Sequence, residues 1–170
     1  MRILIAEDDP VSRLILVTTV RGWGFDPTVA CDGAEALAAF HGNEPPQIAI
    51  LDWMMPGFDG LELCRRVREI PSARSVYIIL LTAKSQREDL IAGLMAGADD
   101  YVTKPFHNQE LFARFHVGLR VAGLHQNLSD RQKELEAAIA DLRHVQQSIE
   151  AIGQLSSGIP YSLNREKIAD

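Results

Sequence analysis

The chain has 170 residues, 46% of them hydrophobic, and a formal net charge of -6 at pH 7, which allows one core domain of roughly 100 to 150 residues and a modest appendage. No Lys/Arg run is longer than Arg65-Arg66, and with the acidic balance this argues against direct binding of nucleic acid by a phosphate-tracking surface. No apolar run approaches about 18 residues, Met1-Arg2-Ile3-Leu4 lacks a secretory h-region, and Cys31 and Cys64 fit neither a metal spacing nor a disulfide framework, so a reduced, cytoplasmic protein with no membrane contact is expected.

In chain order, apolar runs rich in Ile, Val and Leu alternate with stretches of 3.6 periodicity, the pattern of strand-helix-strand units around a parallel sheet. The runs Arg2 to Ala6, Asp26 to Ala30, Gln47 to Leu51, Val76 to Leu81 and Asp100 to Val102 predict five strands. The first helix is predicted to start with Asp9 as N-cap and Pro10 at its first position, where a missing N–H costs nothing, and to bury Leu14, Val17 and Val20 or neighbours of these. Gly22 and Gly24 end it. A second helix runs from about Gly33 to His41 and stops before Asn43-Glu44-Pro45-Pro46. A third begins near Asp59-Gly60 with Leu61, Leu63 and Val67, and a fourth covers about Gln86 to Ala96 with Leu90, Ile91, Leu94 and Met95, closed by Gly97 as its C′ residue.

Beyond about Asn108 no Pro occurs until Pro160, and an apolar seam keeps a 3-4 spacing. Val121, Leu128, Leu135, Leu142 and Ile149 fall at position a of a heptad, and Leu124, Arg131, Ala138, Val145 and Ile152 at position d. Only Arg131 breaks the stripe. The fifth helix is therefore expected to continue unbroken into a long coiled-coil stalk that ends around Ser156-Ser157-Gly158.

Four strand ends carry polar groups: Glu7-Asp8 after the first, Asp52 after the third, Thr82 after the fourth and Lys104-Pro105 after the fifth. In open parallel sheets ligands bind outside the carboxyl ends of the strands, so these groups share the edge where chemistry occurs. Carboxylates gathered in one pocket repel, and the remedies are a raised pKa or a bound cation. An all-oxygen set suits magnesium, which keeps several waters and accepts substrate phosphate oxygens. Asp8 and Asp52 are the expected direct ligands, with the Met54 backbone carbonyl as a third and Glu7 acting through water. Asp52 can then attack a phosphoryl group while the metal neutralises the transferring oxygens. Lys104 adds a second cation, Thr82 a hydroxyl donor, and small Ala83 leaves room for the group. Singly, each has a bland reading: an acid pair caps a helix, a Thr closes a strand, a Lys before Pro is solvated. Their ordered conjunction favours the site.

These residues resemble a known family. Glu7-Asp8, Asp52-x-x-Met55-Pro56-Gly57-x-Asp59-Gly60, Thr82-Ala83, Gly97-Ala98-x-Asp100-Tyr101-x-x-Lys104-Pro105-Phe106 and Asp32-Gly33-x-Glu35-Ala36-Leu37 are similar to the receiver domain of two-component response regulators, over about residues 1 to 122. The resemblance implies an α/β fold: a five-stranded doubly wound parallel sheet, flavodoxin-like, of order 2-1-3-4-5, here with the long C-terminal coiled-coil helix. It implies magnesium-dependent phosphorylation of Asp52 by a bacterial histidine kinase, a switch coupling Thr82 to Tyr101, and a cis peptide at Lys104-Pro105. Such a chain is not an enzyme beyond its own phosphorylation and dephosphorylation.

Residues 123–157 are expected to form the extension and homodimerise, and 158–170 a tail that could begin a further output region. Ser148 to Ile159 resembles, over a short stretch, the helix entering the dimerisation segment of histidine kinases. Where that family places its His, Pro160 and Tyr161 stand here, and Pro would cost about 3 kcal/mol in a helix interior. Autokinase activity is not expected. The competing readings are a coiled-coil adaptor or scaffold that works without phosphorylation and a fragment of a larger signalling enzyme.

Overall fold

The computed structural model describes residues 1–42, 44–83 and 87–157. Five parallel strands, β1 (Ile3–Ala6), β2 (Thr28–Ala30), β3 (Ile48–Asp52), β4 (Tyr77–Thr82) and β5 (Asp100–Thr103), lie in the order β2-β1-β3-β4-β5. Between and after them run α1 (Pro10–Gly22), α2 (Gly33–Phe40), α3 (Gly60–Glu69), α4 (Arg87–Met95) and α5 (Asn108–Ser157), with a 3-10 turn at Pro71–Ala73. This is the expected doubly wound sheet. The chain divides into two compact units, the first Met1–Gln126 and the second beginning at Asn127.

The strands are apolar on both faces because helices cover both, and their period of two divides the core. Leu4, Ala6, Ala49, Leu51, Ile78 and Leu80 point to one layer, where α2 and α3 supply Phe40, Leu63, Cys64 and Val67. Ile3, Ile5, Ile48, Ile50, Ile79, Leu81 and Val102 point to the other, closed by Leu16, Val17 and Val20 of α1 and Leu111 and Phe115 of α5. Trp23 and Phe25 pack on Phe115, with ring centroids 5.1 and 5.3 Å away. Cys64 belongs to the first layer, and burial pushes its thiol up to about 12.

Local chemistry fixes the helix starts. Asp9, Asp32 and Asp59 are N-caps whose carboxylates accept from Ser12 N, Glu35 N and Glu62 N at 2.7, 2.7 and 2.8 Å. Glu35 reaches back to accept from Cys31 N, one residue before the cap, at 2.7 Å. Gly97 has φ +105°, the left-handed backbone a closing glycine supplies after α4.

Two helix faces differ from expectation. In α1 it is Leu16, not Leu14, that joins Val17 and Val20 inside; Leu14 is 66% exposed. In α4 the large side chains Ile91, Leu94 and Met95 are exposed and the half-buried or buried side is Leu90, Ala92 and Gly93. The reason is proximity: a Cβ on Gly93 would lie 3.3 Å from Leu80 Cδ1 and 3.5 Å from Trp53 Cζ3, so only small residues let this helix lie so close to the sheet.

The last helix is continuous from Asn108 to Ser157. Up to Gln126 it is tied to the sheet unit: Gln47 Nε2 donates to Gln126 Oε1 at 3.2 Å, His125 Nδ1 lies 3.1 Å from Ser75 O, and Val121 packs on the core. Val121 therefore serves the sheet rather than the seam. From Leu124 onward the seam residues Leu128, Leu135, Leu142, Val145, Ile149 and Ile152 are exposed. The expected tail, 158–170, lies outside the described residues, as does Asn43. No helix among the described residues is long and apolar enough to cross a membrane.

Candidate functional site

Parallel pairing in register brings the carboxyl ends of β1, β3, β4 and β5 to one edge. Asp52 ends β3, and Glu7 and Asp8 follow β1; one carboxylate oxygen from each lies within 4.8 Å of the other two. Glu7 is 1% and Asp52 6% exposed, whereas Asp8 opens to solvent. Asp9 turns away to cap α1, and its hydrogen bonds from Ser12 hold its carboxyl below the ordinary range.

Lys104 follows β5, the outermost strand of the sheet. Its Nζ stands 2.7 Å from Glu7 Oε2 and 2.9 Å from Asp52 Oδ1. Burial pushes this ammonium down, but the hydrogen bonds to Glu7 and Asp52 outweigh it and its pKa is raised. For Glu7 burial wins: its carboxyl is raised despite Lys104, and the Asp52 charge adds to the rise. The peptide joining Lys104 to Pro105 is cis.

Thr82, 3% exposed, ends β4 opposite Thr103, and Lys104 N donates to its carbonyl at 2.7 Å. Ala83 follows it, exposed. Tyr101 is half-buried in β5 and packs against the first core layer. Met54 lies in the loop after β3 with its side chain 63% exposed, and the preceding Trp53 is buried, its N–H donating to Leu81 O at 2.8 Å.

Two residues that the sequence reading gave no part act on this edge. A Cβ on Gly60 would lie 2.6 Å from Asp52 O, so the first residue of α3 is seated on the peptide that carries the central acid; the Asp59-Gly60 pair was its only signal. Arg13 Nη1 donates to the carbonyls of Glu7 and Asp8 at 2.8 and 2.9 Å. Bonds to backbone carbonyls leave no side-chain pattern for a sequence to show.

Three carboxylates face one ammonium, an imbalance of two negative charges in a set of oxygen donors. That suits a small dication, and the open side at Asp8 leaves space for its waters.

The sequence profile of the response regulator receiver domain matches residues 3–116. The chain is 44% identical over 119 residues to the DNA-binding response regulator MtrA of Mycolicibacterium smegmatis, covering 70% of this chain and 50% of MtrA. It is 42% identical over 136 residues to the transcriptional regulatory protein CseB of Streptomyces avermitilis, covering 80% and 56%. The chain thus spans about half the length of these relatives. Among solved structures, the receiver domain of the sensor histidine kinase PA1611 from Pseudomonas aeruginosa, which has a magnesium ion coordinated in its active-site cleft, superposes with a TM-score of 0.62 at 32% identity, over 72% of this chain and 97% of that one. The matched stretch takes in every strand of the sheet and every acid on its edge, and by it the chain belongs to the response regulator receiver domain family.

Proposed function

We propose that this chain accepts a phosphoryl group on Asp52 from a histidine kinase, with magnesium, and that its chemistry is confined to gaining and losing that group. The carrying observation is the clustering of Glu7, Asp8 and Asp52 within 4.8 Å, with the Lys104 ammonium against two of them. When bound, magnesium supplies positive charge to the oxygens of the transferring group. Asp8, Asp52 and the Met54 carbonyl would hold it directly, and Glu7 through water.

In the transfer itself an Asp52 oxygen bonds to phosphorus as the bond from phosphorus to the donor imidazole nitrogen breaks. Lys104 meets the new dianion with its ammonium, and Thr82 with a hydroxyl donor. Ala83 leaves the rim clear of bulk. Thr82, drawn toward the phosphoryl group, vacates space for the Tyr101 ring and so alters the face built by α4, β5 and the start of α5. Residues 1–122 form the receiver in this reading and 123–157 a stalk that pairs two copies; it includes no DNA contact by this chain, which lacks a basic run.

Labelling with acetyl phosphate and magnesium tests the assignment by intact mass. The wild type should gain one hydroxylamine-sensitive phosphoryl group and Asp52→Asn none. Equal labelling of the two would overturn it.

The exposed seam from Leu124 to Ile152 keeps the adaptor reading in view, since a coiled coil needs no phosphate. Unchanged hydrogen exchange on the α4 and β5 face with a beryllofluoride mimic bound would favour it.

A further inference from the structure

Asp8 is held differently from its two neighbours. Lys104 grips both Glu7 and Asp52, and Glu7 Oε1 also accepts from Asp9 N at 3.4 Å. Among the described residues no donor reaches the Asp8 carboxylate, which projects from an exposed loop. Its direction is therefore set by the peptides on either side. Those are the two that Arg13 binds: Nη1 takes the Glu7 carbonyl at 2.8 Å and the Asp8 carbonyl at 2.9 Å. A single nitrogen thus fixes two consecutive peptide planes, from a half-buried side chain rooted in α1.

We propose that Arg13 is the positioning residue of the acid cluster, holding the Glu7 and Asp8 carbonyls so that the Asp8 carboxylate meets a divalent cation together with Glu7 and Asp52. The proposal rests on the reading of these acids as a magnesium site. Arg13 binds no metal itself. Its positive charge opposes a cation, so its two roles have opposite signs: removal as a charge would tighten magnesium binding, whereas removal as a support would weaken it. Reach favours the support: both bonds come from Nη1, which stands one bond further from the backbone than a lysine Nζ, so Lys falls short of the two carbonyls.

Calorimetric titration of magnesium chloride into the full chain tests this. Arg13→Ala should weaken binding by about tenfold, the scale on which loss of an outer-shell partner is felt, and Arg13→Lys by less. Thermal unfolding without magnesium should stay close to wild type for both. In an Asp8→Ala background, Arg13→Ala should bring no further loss, since its effect passes through Asp8. Unchanged or tighter binding by Arg13→Ala, or a full second loss in the double variant, overturns the proposal. Failure of the wild type to bind magnesium would instead bring down the metal reading beneath it. Should Arg13→Ala not fold, the comparison of Arg13→Lys with wild type decides alone, equal affinity being the overturning result.

Discussion

Glu7 and Lys104 carry the electrostatic tension of the site between them. The folded Glu7 carboxyl is raised above its ordinary 4.5, chiefly by burial, so the folded state holds this proton more tightly than the unfolded chain. Its contribution to stability is complete below pH 4.5 and lost as pH rises through the raised value. Lys104, raised above 10.5 by its hydrogen bonds to Glu7 and Asp52 against the pull of burial, contributes fully below pH 10.5 and loses that contribution only above it. Glu7→Gln should flatten the acid-side slope in urea unfolding at fixed, magnesium-free ionic strength, and it should blunt the stabilisation that added magnesium gives the wild type. A slope equal to wild type would show that Glu7 does not titrate in this window. Lys104 was legible only within the ordered set of strand-end groups, since a Lys before Pro is by itself a solvated loop residue. The Arg13 contact was not, since it joins a side chain to main-chain oxygens.

Among the elements, α3 is the most tightly seated on the chemistry. Its first residue leaves no space for a Cβ against Asp52 O, and Gly60 N donates to Trp53 O at 2.8 Å. Gly60→Ala should cost about 1–3 kcal/mol, as overpacking does, and slow labelling of Asp52 by displacing the end of β3; chemical denaturation and acetyl phosphate kinetics measure the two. Helix positions were readable from periodicity, with one cap, Asp9, legible in the sequence; Asp32 and Asp59 cap α2 and α3 in the same way. Helix faces were harder to read. Val11, Leu14, Ile15, Leu16 and Val17 form so dense an apolar run that 3.6 periodicity admits more than one inward stripe. For α5 we expect light scattering to report a dimer for the full chain and a monomer for residues 1–126, a boundary set by the hydrogen bond of Gln126 to Gln47. Arg131→Leu, which removes the charge from a d position, should tighten the dimer at least about tenfold. Monomers throughout would exclude the paired stalk.

At the scale of the molecule, strand order followed from a resemblance that alternation alone could not replace, and strand ends moved by a residue where ladder pairing outran the apolar run. Asp52 is one instance, with Thr82 and Thr103: it pairs with Leu81 inside β3, although polarity alone would place it in the loop. The small inward face of α4 sets a further property of the whole. Cooperative opening of an element costs the apolar burial it surrenders. β1, β3 and β4 surrender Ile and Leu side chains sealed on both faces, while α4 gives up little beyond Leu90, Ala92 and Gly93 and already shows Ile91, Leu94 and Met95 to water. Native-state hydrogen exchange should accordingly find a low-energy opening confined to residues 89–95, far below the global unfolding free energy that protects the three central strands. Equal protection of the two would mean that the helix opens only when everything does. This domain thus sets a loosely held segment on a rigid sheet, so a small change in free energy at the sheet edge can redistribute one helix without threatening the fold.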